Sequence, residues 1–408
     1  MLLRHQDTVV CRFDLPWTNG STLDVSVYDS ADLVRNEWRA LELISPCSVY
    51  QSYDWIANWA TQVGTLARIQ PRIAIGRLGA ETAFILPMGV KQRGPFRVLT
   101  WLGDTHTNFH MGLYAPSFLS RLRPSGAGAD GQPGSIKIIM DALCKALGKI
   151  DLLELCCQPT TWQGHTNPFA MLPRHPSHNH GFSLSLLPSF DEALKRKNGA
   201  RKRKKLRWQT NQLKDHGGAR LIRASDAATI DRAFDAAFAQ MAVRFDRAGI
   251  WNRFNDAGVQ DFMRNLAHEG VGQTKPAMVI YALEIAGTVR ATFAGGHQGD
   301  QFSGYFISYA DDAFSHISPG EMIIHLTVKD CAERGVQQFD FGRGEERYKT
   351  SWCDTTVPMF ETSLALTPLG RLFTGYERVK LLGKRIVRNN PHLWEMAKRV
   401  RKKVYGRV

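Results

Sequence analysis

The sequence predicts an α/β protein built on a mixed sheet, and three observations carry that expectation. First, two halves of the chain repeat one order of elements: helices, three strands, a crossover helix and a final strand. Second, residues 228–247 place Ile230, Phe234, Ala237, Phe238, Met241 and Phe245 on one stripe at helical spacing, the pattern of a helix lying on a core. Third, a helix opening at Ser318-Pro319-Gly320 follows three hairpin-connected strands and precedes a strand at 337–341. A helical crossover of that kind is how a chain reaches a parallel neighbour.

In the first half, 32–43 and 54–62 read as helices. Trp55 and Trp59 share a face at i, i+4, and Gly64 ends the second helix. Runs 72–78 and 82–90 flank a Gly-Ala-Glu turn and read as a hairpin, with a further strand at 97–102. A Gly-, Pro- and Ser-rich loop spans 116–134. A helix at 135–147 and a strand at 150–156 follow. The Pro- and His-rich stretch 173–180 separates the halves. The second half reads as helices at 191–197 and 200–215, parted by Asn198-Gly199 and stopped by Gly217-Gly218. Then come the striped helix, strands at 277–285, 288–297 and 301–309, the helix 319–334, and the strand 337–341. The tail, 370–388 and 392–404, reads as two basic helices broken at Asn390-Pro391. The shared order suggests an internal duplication, giving units at 21–185 and 186–368 and a basic tail at 369–408.

The 408 residues allow two to three domains, and 43% hydrophobic with 22% charged residues fits a soluble globular protein. No apolar run reaches the ~18–20 residues of a membrane span, and residues 1–13 lack the pattern of a signal peptide. The seven cysteines are scattered, without paired CxxC spacing. That excludes a zinc ribbon or disulfide scaffold and points to a reducing, cytoplasmic setting. Adjacent Cys156 and Cys157 read as strand residues rather than a redox pair. His175, His178 and His180 lie close together, but no cysteine or carboxylate accompanies them, so no metal is expected there. The net charge of +14 is concentrated: residues 195–207 hold nine basic side chains, and 378–408 hold eleven against the single acid Glu395. Such patches point to an anionic partner: phosphate, nucleotide, RNA or a membrane surface.

The segment that concentrates chemistry runs from Ser318 to Trp352. Ser318-Pro319-Gly320-Glu321 matches a capping box, with Ser318 as N-cap, Pro319 at N1 and Glu321 at N3. Helix N-termini also bind phosphates, and Gly320 admits a close approach. On this helix Ile324, Val328 and Cys331 share one face, and His325, Lys329 and Glu333 another. After the strand come Gly342-Arg343-Gly344-Glu345-Glu346-Arg347-Tyr348-Lys349. Asp340, Glu345 and Glu346 are candidate bases, Tyr348 a candidate acid for a leaving thiolate, and Lys349 a candidate holder of phosphate or carboxylate. His297, ending a strand, reads as a structural histidine before a base, and Trp352 as a packing residue. No Ser-His-Asp order, Walker loop or dinucleotide fingerprint is present.

Phe339-Asp340-Phe341-Gly342-x-Gly344-x-Glu346-x-Tyr348-Lys349-x-x-Trp352, preceded by Ser318-Pro319-Gly320, resembles the GNAT acyltransferases of the CelD/BcsL type. These are linked to cellulose and exopolysaccharide biosynthesis and related to the FemAB aminoacyltransferases. The resemblance covers roughly residues 30–370. It implies two GNAT-like domains in tandem, a FemAB-like architecture, with the donor site in the second. It also implies acetyl-CoA or another acyl-CoA as co-substrate, and no metal. Ser318, Pro319, Gly320, Phe341 and Gly342 would hold the donor, and Asp340, Glu345, Tyr348 and Lys349 would serve the chemistry. The implied acceptor is an amine or hydroxyl of a polysaccharide, a nucleotide-sugar or a lipid-linked precursor. The tail would rest on an anionic inner membrane face. Where ordinary GNAT enzymes have an Arg/Gln-x-x-Gly-x-Gly/Ala turn, this chain has His316-Ile317-Ser318-Pro319-Gly320. The alternatives are therefore a FemAB-like transferase using aminoacyl-tRNA, and a non-catalytic protein holding RNA or a membrane.

Overall fold

A computed structural model describes residues 9–17, 20–124, 134–372 and 374. All but the first few residues of the two tail helices, and part of the loop 116–134, lie outside the described residues. The striped segment is the helix Ala227–Ala248. Asp226 caps it in a reciprocal box with Thr229, and Gly249 ends it in the left-handed conformation. Its stripe is the buried face: Ile230, Phe234, Ala237, Phe238 and Met241 are all inside. The first-half helices include Arg35–Glu42, Tyr53–Trp59, which runs into a single π turn, Ala60–Gly64, and Ser135–Ala146.

Among the described residues, one 14-stranded sheet runs through both halves. From one edge its strands are Val9–Pro16, Thr22–Tyr28, Gln70–Leu78, Glu81–Arg93, Phe96–Trp101 and Leu152–Pro159. At the centre lie Thr355–Ala365 and His175–Ser185. Then come Gln338–Arg343, Gln301–Tyr309, Thr288–Gln298, Val279–Ile285 and Ala219–Arg223. Leu113–Tyr114 pairs beside this path. Neighbours are antiparallel except at one junction in each half: Phe96–Trp101 with Leu152–Pro159, and Gln301–Tyr309 with Gln338–Arg343.

The centre of the sheet is an exchange. His175–Ser185 comes from the first half but pairs with Gln338–Arg343 of the second. Thr355–Ala365 comes from the second half but pairs with Leu152–Pro159 of the first, and the two exchanged strands pair with each other. Both are absent from the sequence reading. His175–Ser185 opens with histidines, a proline and a glycine, and only its end, Phe182-Ser183-Leu184-Ser185, alternates, too short a signal to announce an 11-residue strand. Helix Val259–Glu269, the edge strand Val9–Pro16 and its neighbour Thr22–Tyr28 also escape that reading.

Aromatic packing joins the halves. Trp55 meets Phe262 and Tyr305 edge-on at 5.2 and 5.1 Å, the geometry ring quadrupoles favour. Tyr50 Oη and Asn108 Nδ2 both donate to the Gly304 carbonyl, at 3.0 and 3.1 Å. A Cβ on Gly342 would lie 2.5 Å from Asn108 Nδ2. With φ +76 as well, only glycine fits there.

Candidate functional site

The second parallel junction opens almost as soon as it forms. Only Gln301↔Gln338, Phe302↔Phe339 and Ser303↔Asp340 pair, and the strands then diverge. One step later the strand Gln301–Tyr309 is bulged, because Gly295 pairs with Gly304 and Ala294 with Phe306, leaving Tyr305 extra. A bulge turns the residues after it to the other face. Phe302 and Ile307 therefore share the front of the sheet, while Ser303 and Phe306 face the back.

A cavity of about 630 Å³ fills the front of this opening. Ile307 and Tyr309 form one wall, Glu345, Glu346 and Tyr348 the other, and Ser318, Pro319 and Gly320 the end. Gly320 is tightly placed: a Cβ there would touch the Tyr309 ring at 3.0 Å. The expected capping box does not form. Ser318 is left-handed (φ 62°, ψ 64°) and its side chain caps nothing. It ends the turn Ser315–Ile317 and accepts at its carbonyl from the N–H groups of Glu321 and Met322. The helix start is held instead from outside. Buried Gln209 donates to the carbonyls of Ile317 and Ser318 at 2.8 and 3.1 Å. Glu321, freed from the box, lines the cavity.

Gln209 belongs to the basic helix Gly199–Gln212, which shapes a second cavity of about 580 Å³. Glu321, Arg347 and Tyr348 line both cavities, so the two meet. Arg201, Lys202, Lys205 and Arg347 face the second one. Lys195, Arg196 and Arg203 of the same basic stretch are matched by Glu192, Asp354 and Asp191. Arg201, Lys202, Lys205 and Arg347 form no ion pair among the described residues. Lys202 donates to the Ser351 carbonyl at 2.7 Å and sits 4.9 Å over the Trp352 ring. Burial lowers its pKa, and so do the charges of Lys197 and Arg201. His325 does not share the exposure of Lys329 and Glu333 on its face of the helix. It is buried edge-on against Phe190 and Trp352. Burial, with Lys202, Lys329 and Arg203 nearby, pushes it down to about 4, so it is neutral at pH 7.

The remaining sequence candidates lie elsewhere. Lys349 is buried, donates to the Arg343 carbonyl at 2.7 Å, and lines neither cavity. Phe341 packs among Phe339, Tyr348 and Trp352. Gly342 meets the first half rather than open space. His297 lies at the far end of its strand beside Phe302, pushed down to about 4 by burial first and by nearby Arg223 and Lys275. Tyr348 stays within the cleft, its phenol pushed well up by burial. Asp340 points to the back of the sheet, opposite Phe339 and Phe341. It is 1% exposed and accepts from the Gly342 N–H at 2.8 Å through Oδ1. Burial raises its carboxyl to about 7, against the smaller opposing pull of the Gly342 N–H, the nearby Ser303 hydroxyl and Lys349. Among the described residues no group of side chains could hold a metal, and no helix is long and apolar enough to cross a membrane.

Residues 200–350 match the family model described as an acetyltransferase (GNAT) domain. No curated protein matches the sequence. A crystal structure of FemX superposes with a TM-score of 0.56 at 12% identity, covering 83% of this chain and 97% of FemX. A conserved protein from Bacteroides thetaiotaomicron gives 0.54 at 12% identity, covering 83% of this chain and 99% of its own. The C-terminal domain of a protein from Agrobacterium fabrum, assigned as a lysylphosphatidylglycerol synthetase, gives 0.50 at 9% identity. It covers 86% of this chain and 97% of that one. These likenesses share the fold, a mixed α/β sheet.

Proposed function

We propose that the protein is an acyltransferase that takes its acyl group from an acyl-CoA and delivers it to an amine or hydroxyl of a polysaccharide or its precursor. One observation carries the reading: the opening between Gln301–Tyr309 and Gln338–Arg343 adjoins, across Glu321, Arg347 and Tyr348, a cavity lined by four cations that form no ion pair among the described residues. A long thioester with phosphates at one end has that distribution of charge. Its acyl arm would lie between the strands. Its phosphates would meet the start of the Pro319 helix and the side chains of Arg201, Lys202, Lys205 and Arg347.

The side chains in the cleft suit direct attack. No cysteine lines either cavity, so a covalent enzyme intermediate has no nucleophile there. Tyr348 projects into the cleft with a pKa well above the ordinary phenol range. A thiol titrates near ~8.5, so the tyrosine keeps its proton. It serves the reaction by hydrogen bonding to the charge that develops on oxygen or sulfur. Lys349 acts from behind: it ties the Arg343 carbonyl to the Tyr348 segment and favours ionisation of Asp340. Glu345 and Glu346 edge the cleft. Glu321 tempers its charge and selects against ligands more anionic than the four cations can hold.

The same unpaired cations would also suit the 3′ end of a tRNA, which gives the second reading, an aminoacyl transfer. Calorimetric titration with acetyl-CoA and longer acyl-CoAs separates the two. Micromolar binding lost in Gly320→Glu, with the fold kept, supports the acyl-CoA reading. Absence of binding by every CoA ester overturns it and leaves an aminoacyl-tRNA donor or a non-catalytic role.

A further inference from the structure

On the back of the same strand pair lies a cavity of about 180 Å³ that the donor reading leaves unused. Asp340, Gln301 and Gln338 form its floor, and Phe109 and Trp162 of the first half form its wall. The short ribbon Thr161–Trp162 and His165–Thr166 folds over it. None of its lining residues is a lysine, arginine or histidine.

Two lining side chains have polar atoms that the protein leaves unmet. Asp340 Oδ2 and Trp162 Nε1 are buried without a hydrogen-bond partner, although the Ser303 hydroxyl, likewise unpartnered, lies close enough to Asp340 to lower its pKa. Asp340 and Trp162 are 1% and 8% exposed. A buried orphan donor and a buried orphan acceptor each cost free energy, and native structures keep few of them. Here one of each opens onto one small cavity, beside the amides of Gln301 and Gln338. A ligand group carrying both O–H or N–H donors and oxygen acceptors would satisfy the pair. The cavity lies well below the ~300–1,000 Å³ of sites for drug-sized ligands, so it takes one ring or one short arm. With no cation, it is ill suited to phosphate.

We propose that this cavity is the acceptor site, and that it takes a single small polyol or amino-polyol ring whose nucleophile is aimed at Asp340. The proposal rests on the acyltransferase reading for its chemistry, though its binding does not. Ser303 and Asp340 are the last paired residues before the strands part. Asp340 thus stands behind the vertex, and in the proposed reaction the donor's carbonyl comes through the gap from the front to meet a nucleophile there. The acceptor's oxygen or nitrogen bonds to the carbonyl carbon while its proton passes to Asp340 Oδ2. The carbon–sulfur bond breaks and sulfur leaves as the thiolate, which takes a proton from water. Asp340 returns its own proton to water.

The test titrates the full chain without donor, using glucosamine, glucose and inorganic phosphate as probes, and repeats it with Trp162→Phe and Asp340→Asn. Asp340→Asn keeps the shape of the cavity, its amide retaining an oxygen for the Gly342 N–H, and Trp162→Phe removes the N–H with one ring while keeping an aromatic wall. Glucosamine or glucose should bind in the millimolar range and phosphate should not, with affinity falling at least tenfold in each variant. Acetyl-CoA binding should stay unchanged in both. Failure of both sugars to bind, or equal binding by wild type and variants, overturns the site even where acetyl-CoA binds. Sugar binding with no binding of any CoA ester leaves the site standing and removes the acyl-CoA reading instead.

Discussion

The two sides of one strand pair are built to opposite rules. In front, the basic cavity gathers Arg201, Lys202, Lys205 and Arg347 against one lining carboxylate, Glu321. Behind, the small cavity has no cation and one carboxylate, Asp340. The contrast shows how a protein keeps a carboxyl that titrates near 7 within a few residues of a strongly basic surface. Among four cations a carboxyl would be held well below its usual range and would be a poor proton acceptor at pH 7. Asp340 escapes because it points the other way, into the sheet's interior, where burial outweighs the pull of Lys349 and leaves it near 7. Alternation of side chains along one strand is enough to separate the two environments.

Variants on each side sharpen this contrast. The largest loss is expected for Asp340→Asn. Turnover should fall by about 10²–10⁴, the range general-base catalysis supplies, with donor affinity unchanged. Wild-type turnover should rise with pH through about 7 as Asp340 ionises, and the variant should lack that limb. Stability should move the other way. The folded carboxyl titrates near 7 and the unfolded one near ~3.9, so its contribution is full below the lower value and is lost as pH rises to the higher. Asp340→Asn should therefore remove a decline in melting temperature across that window. An unchanged pH profile would place the base elsewhere.

Tyr348→Phe comes next. Losing one donor to developing charge costs about 10²–10³ in turnover, while calorimetry should show acyl-CoA binding nearly intact. A rise in KM alone would mark Tyr348 as a binding residue. Arg201→Ala and Lys205→Ala should each weaken the donor by about tenfold, near 1.4 kcal/mol. That loss should shrink as salt screens the wild-type cavity, and salt-independent losses would count against a phosphate there. Asn108→Ala is expected to leave both sites unchanged. It removes donors to Tyr50 Oη and the Gly304 carbonyl, so denaturant melts should show about 1–3 kcal/mol of lost stability.

The legible parts of the molecule were those with local signals. The stripe of Ala227–Ala248, the hairpins of both halves, and the Ser318-to-Trp352 segment all announce themselves over short stretches of chain. Ser318, Pro319, Gly320, Glu345 and Tyr348 meet at one cleft because a helix start and a strand end are neighbours in an α/β crossover. The basic helix was visible as charge, but its partners were not: only the fold shows that Arg201 and Lys205 go unmatched while Arg203 finds Asp191. The back cavity had no signal at all. Phe109, Trp162, Gln301 and Asp340 come from separate segments, and an orphan hydrogen-bonding atom is a property of packing. The capping box misled because Ser318 took a left-handed backbone that turns its hydroxyl away from the helix.

The exchanged strands at the centre of the sheet set a timetable for synthesis. His175–Ser185 leaves the ribosome early, yet its partners are Gln338–Arg343 and Thr355–Ala365. From residue 185 to residue 338 about 150 residues must be translated, which at ~5–20 residues per second takes roughly 8–30 s. Through that interval the first half has an open sheet edge at Leu152–Pro159 and a tethered strand with nothing to pair with. Nascent chains arrested before residue 338 should accordingly be cut by protease within 175–185 and engage chaperones that recognise extended segments. Chains released past residue 365 should resist. Equal resistance in both would mean that the first half closes its edge by some other pairing while it waits.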